Sequence, residues 1–403
     1  MESILRPLYL NKVVSFLDKE MMLFLIGQRR VGKSFLLRQV GSWIKENKPE
    51  ANVIYINKED YAFSIITTAE KLIDYVNVHY RNGVRNYLLI DEVQDIDCYE
   101  NALRSFHSED KLQIVATGSN AYVFSTELST KLSGRYIEIP VYPLGYEEFL
   151  VFHGLEDSED ALNKYLMVGG LPALKNFNIQ DEDEVRSYVQ GVYNTVLLKD
   201  VVKRNDIRNI QFVENLAHFV GDNIGKLISP GSIYRFMKSK GEKIAENTVS
   251  AYLQNLCSAL LTVAVPRYDI HGKRIFESIY KYYFSDHGLR NFICGFNLDG
   301  SIEKVMENVV WQHLLIQGFT VGVGILRAGE IDFVAERGSE KIYIQVAYLI
   351  ATEEIRNREF GNLLKINDNF PKYVISANPM IGGGDNKDGI RHMSLRQFLK
   401  TRI

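Results

Sequence analysis

A chain of 403 residues with 46% hydrophobic and 24% charged content, 29 glycines and 9 prolines has the make-up of a globular protein, which excludes collagen-like, low-complexity and largely disordered classes. The 47 Lys and Arg against 50 Asp and Glu leave a net charge of −3, so any nucleic-acid surface has to be local. Cys98, Cys257 and Cys294 stand far apart without a CxxC pair, no apolar run nears the ~18 residues of a membrane span, and the first residues lack a signal-peptide core; a cytoplasmic protein without membrane contact is expected.

From the start to about residue 150, short apolar runs alternate with amphipathic stretches. Met21–Ile26, Val53–Ile56, Tyr87–Ile90, Ile114–Ala116 and Tyr136–Val141 read as strands, and Lys33–Lys45, Ala69–His79 and Tyr99–Phe106 as helices. That alternation predicts βαβ units and a parallel sheet covered on both faces. After the first strand comes Gly27-Gln28-Arg29-Arg30-Val31-Gly32-Lys33-Ser34, a full G-x-x-x-x-G-K-[ST] phosphate loop running into a helix from Phe35. Such a loop turns its N–H groups inward around a phosphate at the positive end of the helix. Lys33 is placed to bridge the β- and γ-phosphates and the Ser34 hydroxyl to ligate Mg²⁺, so ATP and Mg²⁺ are the expected cofactors, with Gly27 to Phe35 as the binding segment.

Fifty-eight positions after Lys33, the strand Tyr87–Ile90 ends in Asp91-Glu92. Asp91 is expected to hold the metal and Glu92 to orient or deprotonate the attacking water. Asn120 or Ser119, following the strand Ile114–Ala116, is placed either as a sensor of the γ-phosphate or as a turn residue capping the next helix. Arg135 stands directly before the fifth strand. There it reaches a neighbouring subunit's site, as in oligomeric ATPases of this arrangement, or is simply a surface arginine.

A helical segment follows from Glu159 to Lys203, broken at Gly169-Gly170-Leu171-Pro172. Ser229–Gly241 reads as a short helix. A second begins at Glu246, with Val249, Tyr252, Leu253 and Leu256 at buried-face spacing and Ser250, Gln254 and Asn255 on the exposed side. Leu260–Arg267 and Arg274–Tyr283 are β-like, which completes the order of a winged helix–turn–helix. Lys203 to Gly295 carries a local charge of +5 against −8 elsewhere. Arg235, Lys238, Lys240, Lys243, Lys273 and Arg274 are the expected phosphate contacts to DNA, with weak sequence preference because the exposed helix side offers no arginine to read guanine. A protein-interaction role is the alternative.

In the tail, a helix with Glu307 precedes strands at Phe319–Val323, Glu330–Glu336 and Ile342–Tyr348. Glu330-Ile331-Asp332 and Gln345-Val346-Ala347 stand where PD-(D/E)xK nucleases keep an Asp and then an acid-x-Lys. Glu307 and Asp332 are retained as candidates for weak, vestigial metal binding, while Gln345 replaces the second acid and Ala347 the lysine. A nuclease-like fold without cleavage is therefore expected.

Taken with Leu5-Arg6-Pro7, Tyr9-Leu10, Leu89-Ile90-Asp91-Glu92-Val93-Gln94, Thr117-Gly118-Ser119-Asn120, Gly134-Arg135 and Pro143-Leu144-Gly145-Tyr146-Glu147-Glu148-Phe149, these motifs make the chain resemble AAA+-type, archaeal-ATPase-like P-loop ATPases with a C-terminal nuclease-like domain. The resemblance implies an ASCE-type ATPase core, ATP with Mg²⁺ and assembly into homo-oligomers, with Pro172 packing near the adenine. The expected fold class is α/β, divided as an ATPase core at 1–150, a helical lid at 151–204, a winged helix at 205–298 and a degenerate nuclease-like domain at 299–403. The expected function is ATP hydrolysis coupled to a DNA-binding module. The alternatives are a nucleotide-gated regulator or scaffold that binds a protein partner with negligible turnover, and an ATP-controlled metal-dependent nuclease.

Overall fold

The computed structural model describes residues 4–108, 112–119, 132, 134–241, 244–270, 279–327, 329–378 and 385–403. The chain forms two compact units, Met1–Val141 with Ser258–Leu260, and Tyr142–Cys257 with Leu261–Ile403.

In the first unit the order is α1 (Pro7–Phe16), β1 (Met22–Ile26), α2 (Lys33–Asn47), β2 (Asn52–Asn57), α3 (Ala69–His79), β3 (Asn86–Asp91), α4 (Tyr99–Ser108), β4 (Leu112–Gly118) and β5 (Tyr136–Pro140). The strands make one parallel sheet in the order β2-β3-β4-β1-β5. Because side chains alternate along a strand, Leu88 and Ile90 join Phe24, Ile114, Leu103 and Phe106 on the face covered by α3 and α4. Leu89 joins Leu23, Leu25, Val115, Leu36, Leu37, Val40 and Ile44 on the face covered by α1 and α2. β3 and β4 are buried throughout, as strands covered on both faces must be. This order makes β3, β4 and β1 neighbours, so the chain leaves the sheet at one edge from Asp91, Gly118 and Ile26. That is where open parallel sheets bind their ligands.

The second unit begins with α5 (Tyr146–His153), α6 (Glu159–Val168), a 3-10 turn at Pro172–Asn176, and α7 (Glu182–Thr195), which continues as a π-helical run, Val196–Lys203. Next come α8 (Ile210–Asp222), α9 (Pro230–Ser239), α10 (Glu246–Ser258), β6 (Thr262–Asp269), β7 (Tyr280–Phe284), α11 (His287–Cys294) and α12 (Ile302–Ile316). The remainder is β8 (Thr320–Leu326), β9 (Gly329–Arg337), β10 (Glu340–Ala347), α13 (Glu353–Leu364), β11 (Lys372–Ser376), β12 (Asp385–Lys387), β13 (Ile390–Ser394) and α14 (Leu395–Phe398). The caps follow the sequence: Ser158, Asp181, Asn209, Ser229, Asp286 and Thr352 each accept a backbone N–H at a helix start.

Strands β6 to β13 share one mixed sheet, β12-β13-β11-β10-β9-β8-β6-β7. β6 joins two partners end to end. Thr262–Pro266 pair antiparallel with β7, and Arg267–Asp269 pair parallel with β8. The β-pair after α10 is thus continuous with the sheet of the tail. α10 also differs from its expected pattern, because Asn255, expected on the exposed side, is buried with Val249, Leu253 and Leu256. The helix is covered over a wider arc than a single apolar stripe indicates.

Candidate functional site

The phosphate loop takes its shape from backbone conformation. Gly32 (φ 97°) and Arg30 (φ 68°) are left-handed, and a Cβ on Gly27 would lie 2.2 Å from the Val141 carbonyl oxygen. Gly32 is the residue before α2 and supplies no side-chain cap, so the first N–H groups of this 15-residue helix are left for a ligand. Lys33 lies buried across the loop, its Nζ donating to Gly27 O (2.8 Å) and Gln28 O (2.9 Å). Arg6, 25 residues upstream, donates from Nη1 to Val31 O at 2.9 Å and places its guanidinium over the Tyr9 ring.

At the end of β3, Asp91 is buried, and its Oδ1 accepts the Thr117 hydroxyl at 2.6 Å. Ser34 of the loop also acts on this carboxylate and favours its charged form, while Oδ2 is buried with no hydrogen-bond partner. Burial drives the Asp91 pKa up, and the charges of Glu92 and Glu59 add to the rise against the pull of Thr117 and Ser34. A buried carboxylate with one idle oxygen, within the influence of the loop serine, fits a divalent cation held by Ser34 and Asp91.

Glu92 is in the left-handed region (φ 54°), and its N–H donates to the same Thr117 hydroxyl at 2.8 Å. Its Oε2 accepts Ser119 Oγ at 2.9 Å and also the Gln94 amide. Burial works to raise the Glu92 pKa, but the Lys33 and Arg29 charges and these two hydrogen bonds prevail and hold it below the usual range. Among the expected residues, Phe35 is exposed with Arg38 over its ring, and Arg135 is exposed with its carbonyl accepting Met22 N–H. Pro172 opens the 3-10 turn of the second unit. Asn120 lies outside the described residues.

On α9, Arg235 and Lys238 are exposed, as is Lys240 directly after it, whereas Ile233 and Met237 are buried. Lys243, Lys273 and Arg274 lie outside the described residues. In the tail, Glu307 on α12 and Asp332 on β9 do come together, but with a cation that no local pattern announces. Lys281 on β7 places Nζ 3.0 Å from Glu307 Oε1, 3.0 Å from Asp332 Oδ1 and 2.7 Å from Glu330 Oε1. Burial works to lower the Lys281 pKa and the three carboxylates, Asp332 foremost, raise it above the ordinary value. Glu307 is pushed up to about 7, by burial first and Asp332 second, against Lys281 and Tyr283. Gln345 bonds to Glu359 through its amide, and Ala347 is buried. Arg6 and Lys281 are among the site residues that sequence reasoning does not assign, as are Thr117, Gln94 and Tyr283. Arg6 stands beside a proline ahead of the loop, and Lys281 is 26 positions from Glu307 and 51 from Asp332.

Residues 19–150 match the family described as an AAA domain, and residues 159–299 match a domain of unknown function. An uncharacterised protein of Haemophilus influenzae is 31% identical over 378 residues, covering 92% of this chain and 93% of that protein. An uncharacterised protein of Methanocaldococcus jannaschii is 28% identical over 337 residues, 80% of this chain and 73% of that protein. Among solved structures, the Aeropyrum pernix ORC1 protein in complex with DNA aligns over 72% of this chain and 93% of that one, at 13% identity and a TM-score of 0.33. AMPPCP-bound DnaA from Aquifex aeolicus aligns over 61% and 85%, at 14% identity and 0.30.

Proposed function

The chain belongs to one family with its Haemophilus influenzae relative and carries an AAA domain at residues 19–150, and from that premise we propose that it is a Mg²⁺-dependent ATPase whose nucleotide state is coupled to a DNA-binding module. The observation that carries this reading is the meeting of an uncapped helix N-terminus, Lys33, and an Asp91 carboxylate with one idle oxygen at the ends of β1 and β3, the two strands that flank β4. The loop N–H groups and α2 attract the phosphates, and Lys33 exchanges the carbonyls of Gly27 and Gln28 for phosphate oxygens. Ser34 and Asp91 hold the metal, whose charge offsets that of the phosphates. Glu92 takes the proton of the attacking water, with Ser119 and Gln94 fixing its carboxylate. Arg135, exposed before β5, supplies an arginine to the site of a second copy.

The further parts of the reading are a helical lid at 151–204, a winged helix at 205–298 and a nuclease-like domain at 299–403. α9 and the residue directly after it offer Arg235, Lys238 and Lys240 to DNA phosphates. One feature favours a second reading, a nucleotide-gated regulator of low turnover. The Glu92 carboxylate already accepts two hydrogen bonds and has a lowered pKa, which makes it a weak base. ATP binding and hydrolysis by wild type, Lys33→Ala and Glu92→Gln, each with and without DNA, test both. The ATPase reading expects Lys33→Ala to lose binding, and Glu92→Gln to bind ATP while turnover drops by roughly 10²–10⁴-fold. Wild-type turnover no faster than that of Glu92→Gln would select the regulator.

A further inference from the structure

We propose that Lys281 is the resident cation of the Glu307, Glu330 and Asp332 cluster, occupying the place that a divalent ion takes in an open carboxylate site, so that the cleft above it is closed to metal. The cleft has a volume of about 400 Å³ and is lined by Glu303, Glu307, Glu330, Asp332, Gln345 and Glu359 among others. Five acids in a nuclease-like position invite a metal, with Lys226, Lys304 and Arg358 sharing the lining. The geometry beneath them argues otherwise.

An ammonium has three N–H donors and no acceptor. Lys281 Nζ donates to Glu307 Oε1 and Asp332 Oδ1 at 3.0 Å each and forms an ion pair with Glu330 Oε1 at 2.7 Å, so three carboxylates surround the one ammonium. Divalent ions take oxygens at about 2.0–2.6 Å, so the distances around Nζ are those of an ammonium and not of a metal ion. The cation is also anchored. Its side chain is fully buried, and β7 is held in the sheet by its register with β6, Lys281 opposite Val265. Side chains two apart share a strand face, and Tyr283 donates to Glu307 Oε1 at 2.6 Å while stacking on Trp311. One face of β7 therefore delivers both the charge and the hydroxyl that satisfy Glu307.

Asp332 and the facing position on β10 are committed as well. Asp332 Oδ2 accepts Val346 N–H at 2.9 Å, so both its oxygens are engaged. The β10 position that would add a second acid is the neutral Gln345, bonded to Glu359. A free ion would have to displace a covalently tethered one, which competes at an effective concentration of at least the millimolar order.

Manganese uptake by the full chain without nucleotide tests this, in an Asp91→Asn background so that the phosphate-loop site takes none. MnCl₂ alone is titrated to 1 mM and free Mn²⁺ is read by electron paramagnetic resonance. The background protein should bind none. Adding Lys281→Met should create one Mn²⁺ site per chain, lost again with Asp332→Asn, and Mn²⁺ should raise the melting temperature of the Lys281→Met protein alone. A Lys281→Met protein that folds only when Mn²⁺ is present supports the proposal equally. A folded Lys281→Met protein that takes up no Mn²⁺ would overturn it. So would uptake by the background protein that Asp332→Asn abolishes. If Lys281→Met folds under neither condition, that last comparison decides, with silence supporting the resident cation. None of these outcomes depends on ATP hydrolysis.

Discussion

Arg6 acts on the phosphate loop from a distance in sequence, through its buried hydrogen bond to Val31 O. The loop owes its shape to backbone angles that few residues favour, so a fixed carbonyl at Val31 limits the conformations it samples without a ligand. Removing a buried charged donor costs about 1–3 kcal/mol. Arg6→Ala should therefore weaken ATP binding by roughly 10-fold, with a smaller change in kcat, since Arg6 touches no reacting group. Titration with a fluorescent ATP analogue checks the affinity, and partial rescue by Arg6→Lys separates a positioning role from general loss of structure. An unchanged Kd would remove Arg6 from the site. The contrast between Arg6 and Lys33 marks the limit of what is legible at this scale. Lys33, Ser34, Asp91 and Glu92 are readable because each sits in a contiguous pattern next to a strand whose chemistry demands it. Arg6 and Lys281 act through partners 25 to 51 positions away, and no spacing rule ties a lone basic residue to such partners.

Elements were legible where a single periodicity governed them. The apolar runs of β1 to β4 and the spacing of α2, α3 and α4 give those elements directly. The double pairing of β6 is not legible, because pairing partners are chosen by the tertiary fold, and the burial of Asn255 is missed for the same reason. The Gly-Gly break after α6 is a clear signal whose cause only the packing supplies. Gly169 has φ 84° and ψ −167°, and a Cβ there would lie 2.6 Å from both Asp286 Oδ1 and Gly288 N. Asp286, buried at the start of α11, also receives Gly170 N–H at 2.8 Å, so the break is where α11 docks. An alanine at 169 meets both a conformation unsuited to side chains and a steric clash, each costing about 1–3 kcal/mol. Gly169→Ala should destabilise the second unit by about 2–4 kcal/mol in urea unfolding. A loss below 0.5 kcal/mol would mean that the backbone relaxes freely here.

At the scale of the whole molecule, charge and pH are the levers. Burial pushes the pKa of His313 on α12 down to about 4, from 6.5 in the unfolded chain. Between those values the unfolded state binds a proton that the folded state refuses, so this residue's contribution falls as pH drops from 6.5 to 4, by roughly 3 kcal/mol at most. Glu307, raised to about 7, works in the opposite direction over part of that window, so the sign is read from a difference. Wild type should lose stability relative to His313→Gln as pH falls from 7 to 4, and parallel curves would contradict a neutral buried imidazole.

The net charge of −3 conceals a +5 stretch between Lys203 and Gly295, part of it in the exposed Arg235 and Lys238 of α9 and Lys240 directly after it. Lys238 lies over the Tyr234 ring and Lys240 over Phe236, so both charges are held against the helix surface with their stems partly covered. If these groups and Arg235 neutralise DNA phosphates, duplex binding should weaken steeply from 50 to 200 mM salt through counterion release. Replacing Arg235, Lys238 and Lys240 together by alanine should flatten the slope of log K against log salt by about 0.9 for each phosphate no longer neutralised. Because such binding is to the DNA backbone, affinity should fall equally for unrelated duplex sequences. Fluorescence anisotropy with two such duplexes measures both quantities. A slope unchanged by the triple substitution would leave α9 as a surface for a protein partner.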